Sequence, residues 1–319
     1  MDRLIVPGAQ LYFSRYGHGR VVMWFFGVFL ALTAAASAKE IALTFDDAPG
    51  EDTGIFKVEE RTDELIRKLK LLDVPQAIFF ANPCNGGRRK MILRQLAKFR
   101  NSGNLIGNHT CTHPRLDKVG FERFALDVDK ADALLESLIQ GQKVFRFPFF
   151  NEGSDKLTRD QVRNWLKSRG YKNIPSSVEN EDPVFSLKLN QAKAAGKKID
   201  YIKVETLFVD HVLAGAEFYE KLAREVLGYS PKHILLLHDK DATVLFLESL
   251  IRALRKNGWT IIGAQEAIRD PLYSLEPQNT HAEYGLLAQV AFEKSGAFAP
   301  YYDFEKLKRE LNAVLGLTN

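Results

Sequence analysis

Cysteine, methionine and tryptophan are all scarce in this chain, at two, three and three among 319 residues. Two cysteines, Cys84 and Cys111, cannot form the framework of a small disulfide-held domain. In an oxidising compartment they can bridge one another, or they can stay separate thiols, and the sequence leaves both open. An excess of one charge is also missing: 44 Lys and Arg stand against 40 Asp and Glu, a net charge of +4. No block of five or six like charges occurs, so the basic footprint of a nucleic-acid binder is absent. Short clusters such as Arg88, Arg89 and Lys90 read as solvated helix faces. The longest apolar run, about a dozen strongly apolar residues followed by small ones, is shorter than the roughly 20 that span a bilayer. No Gly-x-Gly-x-x-Gly follows the first predicted strand and no Gly-x-x-x-x-Gly-Lys occurs, which removes the usual support for dinucleotide and P-loop readings. Internal repeats and low-complexity segments are absent.

What is present is the balance of an ordinary globular protein, 45% hydrophobic and 26% charged, long enough for one large α/β domain. An apolar run over 21–32 follows Arg20 and leads into Ala34, Ala35, Ala36, Ser37 and Ala38. A basic start, a short apolar stretch and an Ala-x-Ala end are the parts of a secretory signal, expected to be cleaved after Ala38. A retained anchor is the alternative, and the long polar start leaves room for translation beginning at Met23. The expected organisation is a signal peptide over 1–38, a catalytic domain over 39–270 and a mostly helical C-terminal extension over 271–319. The expected location is exported, periplasmic or secreted, with no stable membrane span after cleavage. Oligomeric state is not legible.

From residue 40 short β-branched or apolar runs alternate with amphipathic stretches, the pattern of βα units around a parallel sheet. Strands are predicted at 41–45, 77–81, 105–107, 144–147, 172–175, 234–237 and 260–262. Helices are predicted at 59–72, 89–101, 118–139, 156–169, 214–227 and 242–256, with one more near 303–315. About seven parallel strands argue for a distorted or incomplete (β/α) barrel. Residues 183–212 read as a polar, Lys-rich insertion.

Active sites of βα barrels are built at the C-terminal ends of the strands. The first predicted strand ends in Thr44-Phe45-Asp46-Asp47-Ala48-Pro49, although Asp-Asp-x-Pro is also ordinary turn chemistry. The third leads into His109-Thr110-Cys111-Thr112-His113-Pro114, and histidines four apart on one turn can share a metal ion. Two His and one Asp leave open positions on Zn²⁺, a hydrolytic composition. Adjacent strand residues point to opposite faces unless the strand ends there, so the two aspartates can divide metal binding and base chemistry. The fourth strand carries Arg146, able to hold a carboxylate bidentately, and the sixth carries His238, able to protonate a leaving group. Alone, each reads as a surface ion pair or a loop histidine.

Together the Thr-Phe-Asp-Asp, His-x-x-x-His-Pro, Arg-x-Pro-Phe and Leu-x-His elements, in order over 41–268, resemble the polysaccharide deacetylase family (NodB homology, carbohydrate esterase family 4). The resemblance implies Asp46 as catalytic base, Asp47, His109 and His113 as ligands of Zn²⁺ or another divalent metal such as Co²⁺, Ni²⁺ or Mn²⁺, and Arg146 as the residue orienting Asp46. It implies His238 as general acid with Asp182 as its partner, the Phe149 backbone N–H on the oxyanion, and Leu236 against the acetyl methyl. The implied activity is N-deacetylation of an acetylated amino-sugar polymer, peptidoglycan first among them. A non-catalytic polysaccharide-binding relative and a metallo-amidase on another acetylated substrate are the competing expectations. Two positions depart from the family: Ala48 stands where glycine is usual, and Glu179-Asn180-Glu181-Asp182-Pro183 stands where Asp-x-x-Asp-Trp is usual. Pro183 removes an aromatic wall from the expected groove.

Overall fold

The computed structural model describes residues 38–84, 88–139, 141–280, 284–297 and 300–318. The predicted signal segment, all but Ala38, lies outside the described residues. Among the described residues seven strands form one sheet: β1 (Lys39–Ala48), β2 (Ile78–Ala81), β3 (Leu105–Asn108), β4 (Lys143–Phe145), β5 (Tyr171–Asn173), β6 (Lys232–His238) and β7 (Trp259–Ile261). All pairings are parallel, in the order β5-β4-β3-β2-β1-β6, and β7 pairs with the start of β1. A parallel sheet covered by helices on its faces needs strands that are apolar along their length rather than alternating. Ile41, Ala42, Leu43 and Phe45 of β1 and Ile234, Leu235 and Leu237 of β6 meet that need, all fully buried. Past β5 the chain reaches β6: Val178 bridges Leu235, its N–H donating to the Ile234 carbonyl at 3.0 Å and its carbonyl accepting from the Leu236 N–H at 2.9 Å. The sheet is therefore curled into the incomplete (β/α) barrel that the strand count predicts.

Two helical expectations change. The single helix predicted over 118–139 is two, Leu116–Val119 and Phe121–Leu135, divided at Gly120, whose φ of 77° suits a residue without Cβ. The predicted insertion 183–212 is helical, formed by Asp182–Ala194 and the first part of Tyr201–Leu227. Phe185, Leu189 and Ala192, then Val204, Phe208 and Val212, bury one face of each. That near-four-residue apolar spacing is a helix signal, diluted in composition by the lysines among it.

The C-terminal extension contributes the predicted helix, Phe304–Leu315, and an unpredicted one, Leu286–Ser295. Leu286, Leu287, Leu307, Leu311 and Leu315 join the same hydrophobic core as the barrel strands. Phe304–Leu315 packs on Asp182–Ala194 and Tyr201–Leu227. Among the described residues no helix is long and apolar enough to cross a membrane.

Candidate active site

Strand β1 does not end at the aspartates. It runs on to Ala48, and its register with β2 shifts between Phe45 and Ala48 while Asp46 stays opposite His238 of β6. Asp47 has a φ of 59°. An extra residue in the left-handed region is a bulge that re-aims side chains, and both carboxylates thereby line one pocket. Thr110, His113, Phe149 and Phe150 at the same rim also have positive φ, from 51° to 68°. Non-glycine residues held this way cluster where a site is over-determined by its surroundings.

The loop after β3 is not a helical turn, yet it brings the two imidazoles to 4.8 Å between ring centres. His109 Nδ1 donates to the Arg146 carbonyl at 2.8 Å, which leaves Nε2 as the lone-pair nitrogen. The Asp127 carboxylate accepts from the Cys111 and Thr112 N–H groups at 2.7 and 2.8 Å and from the Thr112 hydroxyl at 3.0 Å. Asn82 of the β2 end donates to the His109 carbonyl. A Cys84–Cys111 disulfide, with Cα atoms 4.9 Å apart, ties the same loop to the segment after β2. Asp47, His109 and His113 each offer one ligand atom within 4.8 Å of the others. Two imidazole nitrogens and a carboxylate oxygen suit a divalent metal with positions left open. Burial, reinforced by His109, holds His113 down at about 4 against the pull of Asp47 and Asp46, so the ring is in its ligating form above that pH. Burial would raise Asp47, but the Lys240 ammonium, 3.2 Å from its Oδ2, and three nearby imidazoles hold it well below the usual carboxylate range.

Arg146, just past β4, is fully buried and donates from Nη1 to Asp46 Oδ1 at 2.7 Å and to the Thr44 hydroxyl at 2.8 Å. The expected bidentate grip is a single-nitrogen contact, because Nε is committed to the Ile174 carbonyl at 2.9 Å. The guanidinium also lies over the Phe80 ring at 4.2 Å. Across the pocket His238 Nδ1 donates to Asp182 Oδ1 at 2.8 Å, and Asp182 Oδ2 accepts from the His238 N–H at 2.9 Å and the Thr243 hydroxyl at 2.6 Å. Burial alone would lower His238, but Asp182, Asp47 and Asp46 outweigh it and push the ring up to about 9. Leu236 lines the same pocket, and the Phe149 ring meets His113 edge-on at 4.5 Å. The cavity lined by Asp46, Asp47, His109, His113, Leu236 and His238 is about 540 Å³.

Residues 33–174 match the model of a family described as polysaccharide deacetylase, a stretch holding Asp46, Asp47, His109, His113 and Arg146. Over that stretch, somewhat under half of the chain, the sequence resembles the polysaccharide deacetylases. Among the curated deacetylases it resembles is a peptidoglycan-N-acetylglucosamine deacetylase of Bacillus cereus, 29% identical over 152 residues that make up 48% of this chain and 49% of that protein. Another is a chitin deacetylase of Arthroderma benhamiae, 25% identical over 240 residues, covering 72% of this chain and 52% of that protein. The chain thus spans about half the length of each. In fold it is similar to a polysaccharide deacetylase from Bacillus cereus, with a TM-score of 0.50 at 22% identity over 70% of this chain and 91% of that one. It is equally similar in fold to a CE4 family pseudoenzyme from Bacillus anthracis, with a TM-score of 0.50 at 19% identity over 73% of this chain and 66% of that one.

The two departures from the deacetylase pattern have local explanations. Ala48 sits in register with Ala81 and is fully buried, so its methyl group packs inside the sheet. Pro183 falls in the first turn of Asp182–Ala194, where the missing N–H costs nothing. In place of the family's aromatic at this point the pocket is walled by Tyr284, Pro300 and Tyr302 of the extension, which the sequence does not assign to the site. Their signal, a Pro-Tyr-Tyr run in a polar tail, becomes legible only once the tail is folded back. Lys240 and Asp127 also escape a motif reading. Both act beside named residues, and neither belongs to a chemical pair in the sequence.

Proposed function

We propose that the protein is a metal-dependent hydrolase that removes N-acetyl groups from an amino-sugar polymer, with peptidoglycan as the first candidate. The observation that carries this reading is the pairing across one pocket of an Arg-held carboxylate, Asp46, with a carboxylate-held imidazole, His238, beside the Asp47–His109–His113 cluster. Asp47, His109 and His113 would hold Zn²⁺, or Co²⁺, Ni²⁺ or Mn²⁺, and the bound cation would polarise the acetamide carbonyl and acidify water. Asp46 takes the proton of the attacking water, with Arg146 and Thr44 fixing its orientation. The Phe149 N–H supports the developing oxyanion and Leu236 faces the acetyl methyl. His238, protonated at neutral pH, gives its proton to the departing nitrogen. The amide C–N bond breaks, acetate leaves, and the sugar stays in the polymer with a free amino group.

The curated peptidoglycan and chitin deacetylases support an acetylated amino-sugar polymer as the substrate class. The apolar run before Ala38 and the Cys84–Cys111 bond support export to a periplasmic or extracellular, oxidising compartment. Acetate release from purified peptidoglycan and from N-acetylglucosamine oligomers, with mass spectrometry of the fragments, tests the reading. Release should stop with a chelator and return with a divalent metal. His113→Ala should lose metal binding and acetate release together, by at least about a hundredfold in rate. Release that persists in chelator overturns the metal assignment. No release from any acetylated oligomer overturns the enzyme in favour of a sugar-binding relative.

A further inference from the structure

The extension does more than cover the core. Its Tyr302 hydroxyl donates to the Glu181 carboxylate, next in sequence to Asp182, which holds His238. Tyr302 is anchored from behind. Its ring meets His211 edge-on at 5.3 Å, and neighbouring Tyr301 donates to the His211 carbonyl at 3.1 Å. His211 Nε2 in turn accepts the Glu181 N–H at 3.3 Å. The preceding stretch of tail is also fixed. Leu286 N–H donates to the Ser176 carbonyl at 2.8 Å, and a Cβ on Gly285 would lie 2.6 Å from Glu179 Oε1. The tail backbone therefore approaches the pocket floor as closely as a glycine permits.

We propose that Tyr302 and Glu181 form a sugar-binding wall beside His238, built from the C-terminal extension and standing where Pro183 leaves no ring. The inference rests on the deacetylase reading and names the residues that hold the polymer there. A sugar ring has one face of C–H groups and a rim of hydroxyls. A half-buried aromatic ring offers the first an apolar partner, and a carboxylate offers the second a strong acceptor. Tyr302 and Glu181 place these two surfaces side by side on one edge of the cavity that holds Asp46 and His238. The hydrogen bond between them fixes the ring relative to the carboxylate before substrate arrives, which lowers the ordering cost of binding. The ligand class is an uncharged N-acetylhexosamine unit within a chain.

Calorimetric titration of the full-length, metal-free protein with N-acetylglucosamine pentasaccharide, alongside acetate-release kinetics of the metal-loaded protein, tests the wall. Tyr302→Ala should weaken binding and raise KM by about tenfold, while kcat falls by less than about threefold. Tyr302→Phe, which keeps the ring, should stay within about threefold of wild type in both. Because Tyr302→Ala could loosen the tail, Tyr302→Leu is measured beside it with thermal melts. Wild-type melting with alanine-like binding supports the wall, and wild-type binding by Tyr302→Leu overturns it. Unchanged binding and KM in Tyr302→Ala also overturn it and leave the deacetylase reading standing. Pentasaccharide binding without acetate release from the wild type would do the reverse, removing the enzyme and keeping the wall.

Discussion

Asp182 lies outside the pocket lining, yet it sets the charge of His238, which lines it. Its carboxylate holds His238 through both oxygens and pushes the imidazole up to about 9. The protonated ring adds stability that is complete below the ordinary imidazole value of 6.5 and is lost as pH rises through about 9. A cation bound at the neighbouring cluster pulls His238 down, so the alkaline limb of kcat/KM should lie at or below about 9. Asp182→Asn should move that limb towards or below 6.5, while Asp182→Glu moves it less; pH profiles of acetate release check this. Asp46 and His238 stood out in the sequence as a carboxylate and an imidazole at the ends of predicted strands, while the proposed roles of base and acid came only from the resemblance to the polysaccharide deacetylases. The metal loop's supports were not: Asp127 is one acid among many in a helical pattern until the loop folds over it. Asp127→Ala should cost metal affinity about tenfold to a hundredfold without touching a ligand, measurable by competition with a chromogenic chelator.

At the scale of elements, the strands were legible because buried parallel strands are apolar runs bounded by turn residues, and all seven appear within a few residues of their predicted limits. The bulge in β1 was not, since the predicted pattern ends at Phe45 and nothing local marks Asp47 for a φ of 59°. It is imposed by pairing with β2 and β6 on both edges. The helices of 183–212 were hidden for the opposite reason: a helix signal was present and lysine content obscured it. The Cys84–Cys111 bond closes a separation of 27 residues around β3. Its loss in Cys84→Ser/Cys111→Ser should lower stability by about 2–4 kcal/mol in denaturant melts.

For the whole molecule, composition and the signal-like start gave a class, and motifs gave a site, but neither gave the extension a purpose. Leu307, Leu311 and Leu315 are buried against helices Asp182–Ala194 and Tyr201–Leu227. Ending the chain at residue 270 should therefore expose an apolar face on those helices. The expected outcome is a fall in melting temperature of at least about 5 °C together with weaker oligomer binding. The wall made by Tyr302 and Glu181 also has a temporal side. Asp46 lies on the first described strand and Tyr302 just before the last described helix, so a ribosome releases the Asp46 edge of the pocket long before its wall. A partly made chain can hold the two aspartates and no complete groove, and the pocket becomes whole only after nearly all of the described sequence has emerged and folded back.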